Sequence, residues 1–284
     1  MLQKTEIESL VSLLEDPDPY VQGEVKKRLF ELGQHAVPLL DQQKNSATND
    51  EERALITDII RHITYGNMEE DFVDVLEGGL SNLQQLENAV FILSRFENPT
   101  LRVGEYKRKL DRFAETIRDE IRYQPSDVKQ MRLLLDFIFV ELGFSGGTTE
   151  YYDTDNAFVD KVIDRRRGLP IALAMIVLFL ARRLDLPFCG VNMPIHFMLK
   201  FKGEKEEILI DPFDHGKSVT YNQCHYFLKQ NGVEPKPVHF HEASEPIILA
   251  RCIGNLMRSY RRNEQQQNAS DLQNLLQTLD MMCL

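Results

Sequence analysis

The chain has 284 residues, 43% of them hydrophobic and 27% charged, with 15 Gly and 12 Pro, a composition that excludes the disordered, collagen-like and disulfide-scaffold classes and leaves ample material for a packed core. Its 33 Lys and Arg against 44 Asp and Glu give a net charge of −11, which opposes attraction to phosphate backbones or anionic lipid, so neither nucleic acid nor a membrane is an expected partner. The four cysteines, Cys189, Cys224, Cys252 and Cys283, stand far apart without a Cys-x-x-Cys spacing, which excludes a zinc ribbon or redox pair, and no metal or other cofactor is expected.

Lys4, Glu6 and Glu8 interrupt the place where a signal peptide needs a continuous apolar stretch. The most apolar run, residues 169–181, is 13 residues long, short of the roughly 20 that span a bilayer. A buried helix in a cytoplasmic protein is therefore expected.

Residues 1–66 read as helical throughout. Ile7, Leu10, Val11 and Leu14 recur at the spacing of one helix face, Asp18 and Pro19 form an N-cap and first-turn pair, and Val21, Val25, Leu29 and Leu32 repeat the stripe before Gly33 ends it. A shorter helix around Pro38 and Leu40 leads to a polar stretch at 45–50, then to the stripe Leu55, Ile56, Ile59, Ile60 and Ile63. Residues 13–40 resemble a HEAT-type repeat, but barely two such units do not make a long solenoid, because each needs neighbours to cover its apolar face.

From 67 to about 142 further amphipathic helices are predicted, including 83–96 and 106–122, with Pro99 and Pro125 as breaks. Phe144-Ser145-Gly146-Gly147 and residues 148–156 read as a loop, followed by a helix through Val159 and Ile163. Arg165, Arg166 and Arg167 then lead to Pro170, placed at the first position of an all-apolar central helix. Beyond it the period falls from 3.6 to 2: Ile195, Phe197, Leu199 and Phe201 alternate with His196, Met198, Lys200 and Lys202, predicting a half-buried strand, and 208–211 a second. A two-residue turn at Gly203-Glu204 sets Phe197 opposite Ile210, Leu199 opposite Ile208, Lys200 opposite Glu207 and His196 opposite Asp211. From Glu245 onward two helical stripes, Ile248, Leu249, Cys252 and Leu256, then Leu272, Leu275, Leu276 and Leu279, are joined by a polar link into a hairpin. The expected division is a helical region at 1–66, a core with its leading helices at 67–240, and the hairpin at 241–284.

His196 with Asp211 is the sharpest chemical pair. A carboxylate bonded to an imidazole fixes its tautomer and stabilises the imidazolium, which a general base needs, and the same pair also fits a plain hydrogen bond on a hairpin. Cys224 beside His225 is placed on a strand, where neighbours point to opposite faces. His239 and His241 are expected to share a strand face, with no third metal ligand nearby. The Arg165 to Arg167 run precedes a helix N-terminus, a place to grip an acidic group or simply a solvated turn.

The run YYDTDNAFVDKVIDRRRGLPIALAMIVLFLARRLDLPFCGVNMPIHFMLKF, continued by ILIDPFDHGK, resembles the transglutaminase-like core of the bacterial SirB family, also found within some F-box proteins; the likeness covers roughly residues 134–224. It implies an α+β, papain/transglutaminase-like fold, a central helix on a small antiparallel sheet, with mainly helical N- and C-terminal additions, the hairpin being similar to a tetratricopeptide unit. By that likeness His196 and Asp211 match the catalytic His and Asp, and Tyr151, Tyr152 and Asn156 match the family's loop motif, which either lines the cleft or merely pins the loop to the core; Arg167 and Asn192 are taken as further cleft-lining positions. The superfamily's nucleophilic Cys lies at the start of the central helix, where this sequence reads Gly168-Leu169-Pro170-Ile171. Cys189 follows the far end of a helix about 22 Å long, and Cys252 falls on an apolar stripe. The resulting expectation is a non-catalytic protein- or peptide-binding regulatory protein. The alternative is a divergent amide hydrolase or acyl transferase that uses His196 and Asp211 with a water or a nucleophile supplied from elsewhere. Oligomeric state is not legible.

Overall fold

The computed structural model describes residues 2–47, 49–148 and 150–283. The protein divides into two compact units, Met1–Phe72 with Arg95–Pro99, and Val73–Ser94 with Thr100–Leu284.

The first unit contains α1 (Leu2–Ser12), α2 (Pro19–Leu32), α3 (Val37–Ser46) and most of α4 (Asp50–Glu77). Asp18 caps α2 by accepting a bond from the Tyr20 amide, Pro19 opens it, and Gly33 closes it at φ 55°, so its start and stop follow from three residues. Ile7, Leu14, Leu29, Leu40, Ile56 and Ile59 form its core. Residues 66 and 67, where a domain boundary is expected, lie inside α4.

The second unit is built around a helix with no polar side. It comprises α5 (Leu83–Ser94), α6 (Val103–Arg122), α7 (Asp127–Asp136), β1 (Ser145–Gly146), α8 (Val159–Arg165), β2 (Arg167–Gly168), α9 (Pro170–Arg183), β3 (Phe188–Val191), β4 (Met198–Lys202), β5 (Glu207–Asp211), β6 (Lys217–Val219), α10 (Tyr221–Gln230), α11 (Glu245–Arg262) and α12 (Gln266–Cys283). Every residue of α9 from Pro170 to Ala181 is buried. A helix that is apolar all round needs cover all round, and α5, α6, α7, α8, α11, β3 and β4 supply it. Its polar end is neutralised: Arg183 bonds the buried Glu87 of α5 and Asp111 of α6, and Arg182 also reaches Glu87. Cations in the last turn also suit the helix dipole. The hairpin of α11 and α12 falls within this unit, with α11 against α5 and α9.

The segment 144–147, read as loop, instead forms a short parallel pair, Ser145 with Arg167 and Gly146 with Gly168. Gly is required there, because a Cβ at Gly146 would meet the Phe213 ring at 2.7 Å and one at Gly147 would meet Asn156 at 2.9 Å.

The main sheet is an antiparallel meander in the order β3-β4-β5-β6. Its register corrects the sequence reading by two residues: Leu199 faces Ile210, Phe201 faces Ile208 and Lys202 faces Glu207. The turn is centred on Glu204 and Lys205 rather than on Gly203 and Glu204, with the Gly203 amide donating to the Glu206 carbonyl. A two-residue shift leaves each side chain on its expected face. Lys200 still bonds Glu207, at 2.9 Å, as a diagonal pair.

β4 is buried on both faces, not one. The face carrying Met198 packs with Val191, Leu209, Cys224, Leu228 and Phe240, so α10 and the 3-10 turn Pro237–Phe240 cover the side that alternation assigned to solvent. Two further strand assignments change accordingly: Cys224 and His225 are on helix α10, and His239 lies in the 3-10 turn with His241 just after it, its Nδ1 accepting from the Lys236 amide.

Candidate functional site

The approach to β4 sets the geometry. Ile195 sits at φ 70°, a left-handed conformation that costs a β-branched residue about 1–2 kcal/mol. This bend places His196 before the strand begins at Met198, outside the ladder.

Asp211 ends β5 and starts a tight turn. Its Oδ1 accepts from the amides of Phe213 at 2.8 Å and Asp214 at 3.3 Å, and the turn closes where Gly216 donates to the Asp211 carbonyl. Gly216 is at φ 69°, and a Cβ there would lie 2.7 Å from the Phe139 ring, so the sequence Asp-Pro-Phe-Asp-His-Gly is what lets this turn pack.

His196 Nε2 lies 2.8 Å from Asp211 Oδ1, with the two side chains 17% and 21% exposed. Burial works against ionisation of Asp211, but the bond and charge of His196 together with the two backbone amides outweigh it, and the carboxyl is held below its ordinary range. An ionised Asp211 only accepts, so Nε2 carries the proton of this bond, and whenever the ring is neutral the lone pair is on Nδ1. Phe213 and Phe227 meet the ring edge-on at 6.2 and 5.8 Å. Phe213 also contacts Tyr151, which links the pair to a neighbouring pocket.

That pocket is a narrow cleft at the start of α9, with an inner space of about 10 Å³, room for about one water. Leu169, Pro170 and Ile171 line it, together with Ile195 and Phe197. Tyr151 and Tyr152 contribute an aromatic side, and their loop is held by the Asn263 side chain, bonded to the Tyr152 carbonyl, and by Arg262 over the Tyr152 ring. Burial and the neighbouring Tyr152 raise the Tyr151 phenol above its ordinary range.

The remaining wall comes from α11: Arg251, Asn255, Arg258 and Ser259, at i, i+4, i+7 and i+8, one helical face. Sequence reasoning missed these four. Arg251 and Arg258 flank the apolar stripe of Ile248, Leu249, Cys252 and Leu256 and read as solvent-facing until the hairpin is docked, while Asn255 and Ser259 fall at the border of that stripe.

The other expected cleft residues take different places. Asn192 accepts from Arg251 Nη1 at 3.1 Å, behind the pocket. Asn156 is buried and bonds the Glu150 carbonyl through its side chain, while its own carbonyl accepts from Leu169; it pins the loop to α9 and does not line the pocket. Arg167 is exposed on β2, away from the pocket lining. The three arginines do not act together: Arg165 pairs with Asp153 and Asp155, and Arg166 is held between the rings of Phe113 and Phe144.

None of the cysteines is an activated thiol. Burial, with Glu242, pushes Cys189 to about 11, and burial pushes Cys252 to about 12. Cys224 is raised by burial and by the charge of Asp211, and Cys283 by burial. A thiolate nucleophile needs the opposite shift. Among the described residues no group of three or more His, Cys, Asp or Glu is placed to hold a metal ion, and no helix is long and apolar enough to cross a membrane.

The transglutaminase-like superfamily matches residues 104–254, from α6 through the sheet to the middle of α11. The chain belongs to this superfamily. Its similarity to curated proteins gives the SirB type: it is 33% identical over 191 residues to a UPF0162 protein of Xylella fastidiosa strain 9a5c, covering 65% of this chain and 68% of that protein. It is 28% identical over 165 residues to Protein SirB1 of Salmonella typhimurium, covering 58% and 61%, and 29% identical over 151 residues to F-box only protein 21 of Homo sapiens, covering 50% and 23%. No solved structure matches the protein. The matched span of this transglutaminase-like protein includes His196, Asp211 and Arg251 and stops before Arg258.

Proposed function

We propose that this transglutaminase-like protein is a non-catalytic protein- or peptide-binding regulatory protein, acting in the cytoplasm, whose cleft keeps the His and Asp of its superfamily without the thiol. The observation that carries the reading is the start of α9, where Leu169, Pro170 and Ile171 line the pocket and no side chain is able to attack a carbonyl. The helical additions, HEAT-like before the core and tetratricopeptide-like after it, fit a protein that offers surfaces to partners.

Binding to an immobilised array of random peptides tests the reading. Selective retention is expected, undiminished in His196→Ala, because binding without chemistry does not need the base; failure to retain any peptide overturns it.

A second reading rests on the 2.8 Å bond between His196 and Asp211. An oriented imidazole with a free Nδ1 is equipped to take a proton from water, the arrangement of a divergent amide hydrolase. Such an enzyme lacks covalent catalysis and stands or falls on turnover that His196→Ala removes.

A further inference from the structure

We propose that the pocket at the start of α9 is a subsite for a peptide carboxylate, with Arg251 and Arg258 supplying the charge and Tyr151, Tyr152 and Ile195 the apolar surface beside it. The proposal rests on the binding reading above, since it takes the pocket to hold a partner rather than a reacting substrate.

The first observation is an imbalance of charge. The protein has a net charge of −11, yet the pocket is lined by two arginines and by no Asp or Glu among the described residues. Elsewhere in the same unit Arg182 and Arg183 meet Glu87, and Arg165 meets Asp153 and Asp155. Arg251 is instead bonded to a neutral amide, Asn192, and its Nε is buried with no hydrogen-bond partner. Burial and the like charge of Arg258 both press against its ionisation. A half-buried guanidinium in that setting carries an unmet desolvation cost that an anion would relieve.

A second observation points the same way. Leu169 caps α9 without a side-chain bond and Pro170 has no N–H, so the amides of Ile171 and Ala172 are the ones without an acceptor inside the helix, and the helix dipole adds positive potential at the same end. The pocket's positive groups therefore converge from two elements, α9 and α11.

The class of anion follows from the rest of the lining. A free inorganic ion would leave the exposed surface of Tyr151, Tyr152 and Ile195 uncovered, whereas a peptide carboxylate brings carbon to cover it. The planar fork of arginine matches a carboxylate in two parallel bonds. The C-terminus of a peptide and an acidic side group present the same carboxylate, and the experiment separates them.

Three probes are titrated into the full-length protein by heteronuclear NMR: Ac-Ala-Ala-Phe with a free C-terminus, the same peptide as its C-terminal amide, and the C-terminal amide of Ac-Ala-Glu-Ala. Expected is saturable binding of the free acid, of the Glu peptide, or of both, with resonances of Tyr151 and Arg251 moving and the Phe amide at least about tenfold weaker, the worth of one charge-assisted bond. Which acid binds identifies the source of the carboxylate. Arg258→Gln, an exposed position, is expected to cost the acid peptide about tenfold, and Arg251→Gln at least as much. Measurable and equal binding of the Phe acid and its amide overturns the proposal, as does full affinity in Arg258→Gln or no binding of either acid by about 10 mM. Mass spectra of the same samples keep the two readings apart: cleaved peptide contradicts the binding reading, whereas intact peptide with equal acid and amide affinity contradicts only the carboxylate subsite.

Discussion

His196 Nε2 is hydrogen-bonded to Asp211 Oδ1 at 2.8 Å although the two residues are not partners in the sheet, since β4 begins two residues after His196 and its register pairs Leu199 with Ile210. The contact is made by a bend at Ile195 on one side and a tight turn at Asp211 on the other, so its stability belongs to those two turns as much as to the pair.

That pair makes stability depend on acid. Asp211 has a folded-state pKa below its ordinary value, so its contribution is present above about pH 4, the unfolded value, and is lost as pH falls through the lower folded value. Asp211→Asn is expected to cost about 1–2 kcal/mol at pH 7. The gap between variant and wild type should narrow by pH 3, read from urea unfolding at both pH values; an undiminished gap at pH 3 contradicts the assignment.

The turns themselves give substitutions of opposite sign. Gly216→Ala adds a Cβ 2.7 Å from Phe139 at a positive φ, and is expected to destabilise by about 2 kcal/mol. Ile195→Asn relieves an exposed left-handed position, and is expected to stabilise by up to about 1 kcal/mol. Thermal unfolding of the two variants checks both signs.

Glu87 is 1% exposed and faces both Arg182 and Arg183. Glu87→Gln leaves those guanidinium groups beside a neutral amide, and a loss of about 3 kcal/mol is expected from denaturant titration. Asp50→Asn, which removes an exposed pair with Arg53, should leave the midpoint unchanged. Equal effects would show that burial of Glu87 carries no weight.

The thiols should be inert in the folded protein. Cys189, Cys224 and Cys252 are buried and Cys283 is partly exposed, with all four shifted toward the protonated form. Iodoacetamide at neutral pH is expected to modify Cys283 first and the other three only at the rate of unfolding. Rapid alkylation of Cys224, the thiol that feels Asp211, would argue for an activated nucleophile after all.

Much of this arrangement was legible in the sequence. The period of 3.6 in α2 and α11, the unbroken apolar α9 with Pro170 at its start, and the period of 2 in β4 and β5 mark those elements, and the family resemblance picks out His196 and Asp211. The register was two residues out because alternation fixes faces but not sliding by a full repeat, and Gly203 drew the turn toward itself. Alternation also hid the second buried face of β4: Lys200 reads as a solvent residue, yet its stem is covered from the α10 side and its amine bonds Glu207. The α11 wall of the pocket was invisible for a different reason. Arg251 and Arg258 look like the outer face of any amphipathic helix, and only docking of the hairpin against α9 turns that face into a pocket.

The central claim is that the cleft recognises without reacting. Its most direct test is turnover of peptide amides by the wild-type protein and by His196→Ala under identical conditions, with products followed by mass spectrometry. The account predicts the same background rate for both. Hydrolysis or transamidation by the wild type that His196→Ala removes would contradict it and establish the water-attack reading in its place.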